Sequence, residues 1–352
     1  MPPISEIAAA KKAAAEEKKA AKLAAAEEKK AAKKAATEEK KAAKLAATLA
    51  AKEAKKVGST AALSPADILL FTQSSKGKGR GSNDGCNKRR EAVLLSIVNE
   101  TAPLNDPVHS AAWIQLARLF KEALVTLGGD QGEVISVKAK GGRGSNYDFL
   151  VTFAGNAIPV EFKYGAKGIT SLPQFVSLAA NKEFHNEVYA KFFYDNYLPQ
   201  TAALYGLTVP PEDIYLAEVH QNTGTHAFFE QAYNAEKAAP AELNNKKSAI
   251  VSKSIAEFLS RVSSTTRLNA LTAEFQRSQA GKKFLLFHNG AFYHDSLKPT
   301  ELIAKNVIGV RNGNLLVIQT EEPGTTIEML LRWKNHLGIL FPAWQTRLVR
   351  EC

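Results

Sequence analysis

Residues 146–165 read NYDFLVTFAGNAIPVEFKYG: two apolar runs either side of a Gly-Asn pair, with Asp148 opening the first and Glu161 and Lys163 closing the second. Strand side chains alternate between two faces, so the length of the turn decides which residues share a face. Gly155-Asn156 suits a two-residue type II′ turn with glycine at its first central position. With Ala154 and Ala157 flanking that turn, Phe153 opposes Ile158, Val151 opposes Val160, Leu150 opposes Glu161 and Asp148 opposes Lys163. One face then carries Phe149, Val151, Phe153, Ile158, Val160 and Phe162, which is wholly apolar and belongs in a core. The other carries Asp148, Leu150, Thr152, Pro159, Glu161 and Lys163, so three charges point the same way at one end of the hairpin. Parity decides the matter. A three-residue loop would send Asp148 to the face opposite Glu161 and Lys163.

Working outward, amphipathic helices are expected at 88–100 and 107–126, the second capped by Asp106 with Pro107 at its first position. A strand follows at 133–138. Beyond the hairpin, SLPQFVSLAAN (171–181) has the signature of a helix start, and further patterns indicate a helix over 182–198, a strand over 214–219 and a helix over 248–261. Hairpins are expected at 283–294 and 306–320, the latter turning at 311–314. This order indicates an α/β (α+β) protein, a mixed sheet covered by helices.

The chain has 352 residues, 45% of them hydrophobic, enough for a substantial core, and a net charge of +11. About +7 of that charge lies in residues 1–56, where an eleven-residue pattern recurs as AAAEEKKAAKL, AAAEEKKAAKK and AATEEKKAAKL. Ala, Glu and Lys favour a long solvated helix. Its apolar stripe is nearly all alanine and buries little, which fits a spacer or polyanion contact better than an oligomerising coil. A glycine-rich basic loop at 74–90 is either a surface linker or a phosphate-contacting arm using Lys78, Arg80 and their neighbours. The organisation expected is a tail (1–57), helices and a basic loop (58–105), a core (106–220), and an extension for recognition or dimerisation (221–352). Two cysteines without metal-ligand spacing, no apolar leader and no long uncharged apolar stretch indicate an intracellular protein with no membrane span.

An ion pair between Asp148 and Lys163 on a solvated face would be worth under about 1 kcal/mol. The company of these residues favours a site instead: GGRGSN leads into Asp148, and Tyr164-Gly165 follow Lys163. Two carboxylates beside a lysine repel each other unless a cation sits between them, and such oxygen ligands suit Mg²⁺ or Mn²⁺. The lysine can orient or deprotonate a water, or stabilise charge on a phosphate.

Asp148, twelve residues, then Glu161-Phe162-Lys163 resembles the PD-(D/E)XK signature of restriction endonuclease-like nucleases, with Tyr147 where the motif's name has proline. The resemblance covers about residues 107–181. It implies a mixed sheet flanked by helices, with the aspartate at the start of the second core strand and the E-x-K on the third. It implies further that Asp148, Glu161 and the Phe162 carbonyl bind Mg²⁺, with Mn²⁺ able to substitute, that Lys163 serves the attacking water, and that Gln174 at the start of the next helix supports the site. Glu122, or failing it Glu133, is the candidate for an extra acid. Arg143, Ser145, Asn146 and Lys167, with Lys78 and Arg80, are the candidate DNA contacts. The activity implied is site-specific, Mg²⁺-dependent cleavage of double-stranded DNA by a homodimer. A homing or junction-cutting nuclease of the same chemistry, and a nucleic-acid-binding protein without activity, stay open. His288 and His294 are read as ordinary strand residues, His220 and His226 as a polar loop, and Trp333, Phe341 and Trp344 as core.

Overall fold

The computed structural model describes residues 65–72, 82–99, 107–140, 146–182, 184–221 and 224–351, all within a compact unit spanning Ser64–Cys352. The N-terminal repeat, Lys78, Arg80, Arg143 and Ser145 lie outside the described residues. A 3-10 turn, Pro65–Ile68, runs into α1 (Leu69–Thr72), and α2 (Ser82–Val98) and α3 (Pro107–Gly128) follow. Next come β1 (Val134–Ala139), β2 (Phe149–Phe153), β3 (Ala157–Tyr164) and β4 (Val176–Ala179). Six helices then run in succession: α4 (Tyr189–Asn196), α5 (Leu198–Ala203), α6 (Glu212–Glu218), α7 (Ala227–Ala238), α8 (Ala241–Val262) and α9 (Leu268–Gln279). The chain finishes with β5 (Lys283–His288), β6 (Ala291–Ser296), β7 (Ala304–Arg311), β8 (Leu315–Thr320), β9 (Thr325–His336) and β10 (Leu340–Arg350).

Two five-stranded sheets result, making this a mixed α/β protein. The first has the order β1-β2-β3-β5-β6, an antiparallel meander of β1 to β3 to which β5 adds parallel beside β3 and β6 antiparallel beside β5. The second, β4-β10-β9-β8-β7, is antiparallel throughout. The sheets interleave along the chain. β4 comes from the middle of the segment expected to form one core, whereas β5 and β6 complete the sheet begun by β1, so the boundary expected at residue 220 falls inside a single unit.

The hairpin obeys the face alternation read from its sequence, with a different register. Phe149 pairs with Val160, Leu150 with Pro159, Val151 with Ile158 and Thr152 with Ala157, two residues away from the alignment expected. The Phe153 N–H donates to the Asn156 carbonyl, which centres the turn on Ala154-Gly155, and Gly155 does not adopt a positive φ. A shift of two residues preserves parity. Phe149, Val151, Phe153, Val160 and Phe162 are accordingly buried, with Ile158 at the margin, while Asp148, Glu161 and Lys163 stay together on the opposite, half-buried face. Pro159 is tolerated because the ladder to β5 begins only at Val160, so no N–H is needed there.

The apolar face is covered by α3 and the N-terminal helices. Gly128 lies against Phe153 so closely that a Cβ would sit 2.3 Å from its ring, and Phe71 meets Phe162 and Phe287. β5 is buried on both faces, as a strand with parallel pairing inside a layered fold must be, and Phe284 and Leu286 join the large core that fills the other side. That core gathers α4 to α9 and the inner face of the second sheet, including Trp333 and Trp344, while Phe341 is only partly buried against it. Arg350 of β10 ties the two sheets together through Glu301 and through Asp295 of β6, which also accepts the Ile169 N–H.

Four elements differ from expectation. Residues 82–90 of the segment expected as a glycine-rich loop are helical within α2. The segment expected to start a helix at 171 instead makes one 3-10 turn, Ile169–Ser171, and then β4, because the open edge of β10 offers Val176–Ala179 a ladder. Of the segment 214–219, residues 214–218 are helical within α6 with Val219 as its C-cap, because Pro210-Pro211 and the acids Glu212 and Asp213 form a helix start that outweighs the β-branched character of IYLAEV. The helix expected at 182–198 starts at Tyr189 and breaks at Tyr197, two residues before Pro199. No helix among the described residues is long and apolar enough to cross a membrane.

Candidate active site

Asp148 occupies the residue just before β2 and is held by backbone on both sides. Its N–H donates to the Val160 carbonyl, its own carbonyl accepts from Lys140, and its carboxylate Oδ2 accepts the Phe162 N–H at 2.9 Å. The two-residue shift in register produces that last bond. It fixes the acid over β3 and faces it toward the Glu161 end of the strand. Glu161 and Lys163, two apart on β3, share the face and make an ion pair at 2.5 Å.

A second lysine, missed in the sequence, completes the cluster. Lys282 Nζ pairs with the other Glu161 oxygen at 2.5 Å, and its side chain is only 3% exposed. It reaches the site because α9 ends at Gln279, Gly281 turns the chain with a φ of +72°, and β5 docks in parallel beside β3. Nothing local marks it. QAGKKF is an ordinary strand entry, and its place depends on a pairing with residues about 120 positions earlier.

Glu161 therefore holds both ammonium groups, and the Asp148 carboxylate lies near enough to feel all three charges. Burial raises the Asp148 carboxyl above the usual range, and the negative charge of Glu161 adds to this, while Lys163 and Lys282 oppose it. Burial by itself would lower Lys163, but Glu161 outweighs it and the ammonium ends above its ordinary value. Lys282 is lowered, with burial prevailing over its bond to Glu161. Lys163 is thus charged at neutral pH. It is suited to stabilising negative charge and orienting water and unsuited to acting as a base.

Asp148, Glu161 and Lys282 open into a cleft of about 270 Å³ also lined by Asn146, Gln174 and Gln279. Gln279 is buried, and neither its amide oxygen nor its nitrogen has a partner within the described residues. Asn146 donates its side-chain amide to the Ser278 carbonyl, bracing the end of α9 while it lines the cleft. Gln174 reaches the cleft as expected, but from the loop before β4 and not from a helix start. Glu122 is exposed on α3 and paired with Arg118 at 2.7 Å, and Glu133 is exposed just before β1. Neither acid lines the cleft. Lys167 is exposed beyond β3.

The donor set fits a hard divalent cation. Two carboxylates face a cleft with an unsatisfied amide oxygen beside them, and these are oxygen ligands of the kind Mg²⁺ prefers. Among the described residues no three His, Cys, Asp or Glu side chains converge, so a cation in this cleft would have the two carboxylates and amide or backbone carbonyl oxygen to draw on. Burial holds His220 at about 4 and also lowers His294 below its usual value, so both are neutral at pH 7. His226 caps α7 by accepting the Phe228 N–H.

Comparison with family models, with characterised proteins and with solved structures finds no match for this chain.

Proposed function

We propose that the protein is a metal-dependent endonuclease that cuts double-stranded DNA at specific sites, using a restriction endonuclease-like core. The observation that carries this reading is that Asp148 and Glu161 line one cleft with Lys163 ion-paired to Glu161 beside it, the aspartate at the start of the second strand of a mixed sheet and the E-x-K on the third. In this reading Asp148, Glu161 and the Phe162 carbonyl hold Mg²⁺ or Mn²⁺, which when bound lowers the pKa of a water and neutralises charge on the phosphodiester. Lys163, held charged by Glu161, orients that water and stabilises the negative charge that develops on the phosphate oxygens. Lys282 holds Glu161 in place from behind. Gln279 and Gln174 offer amide groups to substrate or water. Cutting both strands of a duplex takes two such sites, so the protein acts as a homodimer.

Incubation with unmethylated plasmid and Mg²⁺ tests the proposal, and discrete fragments are expected. Intact DNA at high enzyme concentration with Mn²⁺ would overturn it.

One observation favours a second reading, a nucleic-acid-binding protein that has lost activity: each Glu161 oxygen already bonds a lysine, so a cation must displace one of them. That reading expects tight duplex binding with no nicking in any divalent metal.

A further inference from the structure

The outer face of the second sheet begins at the cleft. Ser177 of β4 lines the cleft and pairs with Gln345 of β10, which pairs in turn with Leu330 of β9. In the next row Ala343 of β10 lies between Ala179 of β4 and Arg332 of β9. Strands are spaced about 4.8 Å apart, so Arg332 stands only about 10 Å across the sheet from the strand that walls the site.

This face carries unbalanced positive charge. Arg332 and Lys334 are two apart on β9 and therefore on the same side, and neither has a carboxylate partner among the described residues. Lys334 lies 5.5 Å from the Phe341 ring, partly buried, and burial together with the charge of Arg332 lowers its affinity for a proton. Nearby, Arg311 and Arg347 share the single carboxylate of Glu328, which leaves that group one positive charge in excess. Like charges close together on one face repel each other, and an anion lying across them offsets that repulsion. The surface asks for a ligand with regularly spaced negative charge.

We infer that the outer face of the second sheet is where duplex DNA flanking the cut site lies, with Arg332 and Lys334 each bonding a backbone phosphate. The inference rests on the nuclease reading, because the cleft fixes where the duplex runs. It gives the second sheet a task that the catalytic cluster leaves unfilled: positive charge on one exposed face, continuous with the site, contacts phosphates irrespective of base and sets the register of the duplex in the cleft.

The test is fluorescence anisotropy of a short labelled duplex over a salt series, with Ca²⁺ in place of Mg²⁺, comparing the unaltered protein with the double variant Arg332→Gln, Lys334→Gln. Each phosphate contact adds about 0.9 to the slope of log K against log salt, so the variant's slope is expected to be shallower by about 2. Its affinity at moderate salt falls with it. Arg332 is exposed, Lys334 is only partly buried beside Phe341, and neither makes an ion pair among the described residues, so the variant's unfolding midpoint should change little. That measurement separates lost contact from lost fold, and a single Arg332→Gln variant with a slope shallower by about 1 serves as a second reading. An unchanged slope and affinity in a folded variant would overturn the inference and leave the nuclease reading standing. An unaltered protein that binds no duplex would overturn both.

Discussion

Lys282 is the residue whose removal tests the site's electrostatics most sharply. Its ammonium is buried to 3% exposure against Glu161, itself only 14% exposed. Removing one partner of a buried ion pair commonly costs about 3–5 kcal/mol, because the charge left behind has no counter-charge. Here Glu161 keeps Lys163 at 2.5 Å, so it is not left alone. The loss for Lys282→Met, which preserves length and apolar bulk, reduces to about that of one charged hydrogen bond, roughly 1.5–3 kcal/mol. The melting temperature measured in EDTA should drop by about 2–4 °C for each kcal/mol lost. A double-mutant cycle with Glu161→Gln isolates the pair. Glu161→Gln is itself destabilising, since it leaves Lys282 buried without its partner, and the double variant should recover at least about 1.5 kcal/mol relative to the sum of the singles. Lys282→Met also frees one Glu161 oxygen, so Mn²⁺ should raise the melting temperature of this variant more than that of the unaltered protein. A coupling within about 0.5 kcal/mol of zero would refute the claim that Lys282 and Glu161 hold each other.

Two other perturbations follow from the packing. His185 is buried among Phe184, Phe258 and Trp344, and burial holds it at about 4 against 6.5 for the free side chain. A histidine kept neutral in the fold contributes no penalty above pH 6.5, but below it the unfolded chain gains a proton that the folded one refuses. Urea unfolding should therefore show a loss of about 2 kcal/mol between pH 6.5 and pH 5 from this residue, and His185→Gln should remove that part of the slope. An identical slope in the variant would place the pH dependence elsewhere. Gly128→Ala drives a methyl group into the Phe153 ring, and denaturant titration should register a loss of about 1–3 kcal/mol, whereas wild-type stability would mean the ring has room to move.

The parts of this molecule legible in the sequence are those that depend on parity and local chemistry. Alternation in residues 149–162 put the apolar face in the core and the three charges on the other, and Asn289-Gly290 and Asn312-Gly313 turned two hairpins as their type demands, each with two positive φ angles. The register at Gly155 escaped because a slip of two residues leaves both faces unchanged. The two alignments differ in their backbone bonds, such as Phe153 N–H to the Asn156 carbonyl, and in the bond from Phe162 N–H to the Asp148 carboxylate, none of which the face pattern reveals. β4 escaped because its strand state comes from an edge contributed by β10, about 165 residues later. Lys282 and Gln279 entered the site by the same route, through the parallel docking of β5 on β3. Glu122 was a reasonable acid by position, but its side of α3 faces solvent and Arg118.

Cleavage by matched proteins tests the central claim most directly. Single-turnover cutting of supercoiled DNA in Mg²⁺ is measured for the unaltered protein, Asp148→Asn and Lys163→Met, with duplex binding in Ca²⁺ measured alongside. Cutting by the unaltered protein, with loss of at least about 10²-fold in each variant while both still fold and bind, is the expected result. Cutting that persists at the original rate in Asp148→Asn or Lys163→Met would contradict the assignment of the site.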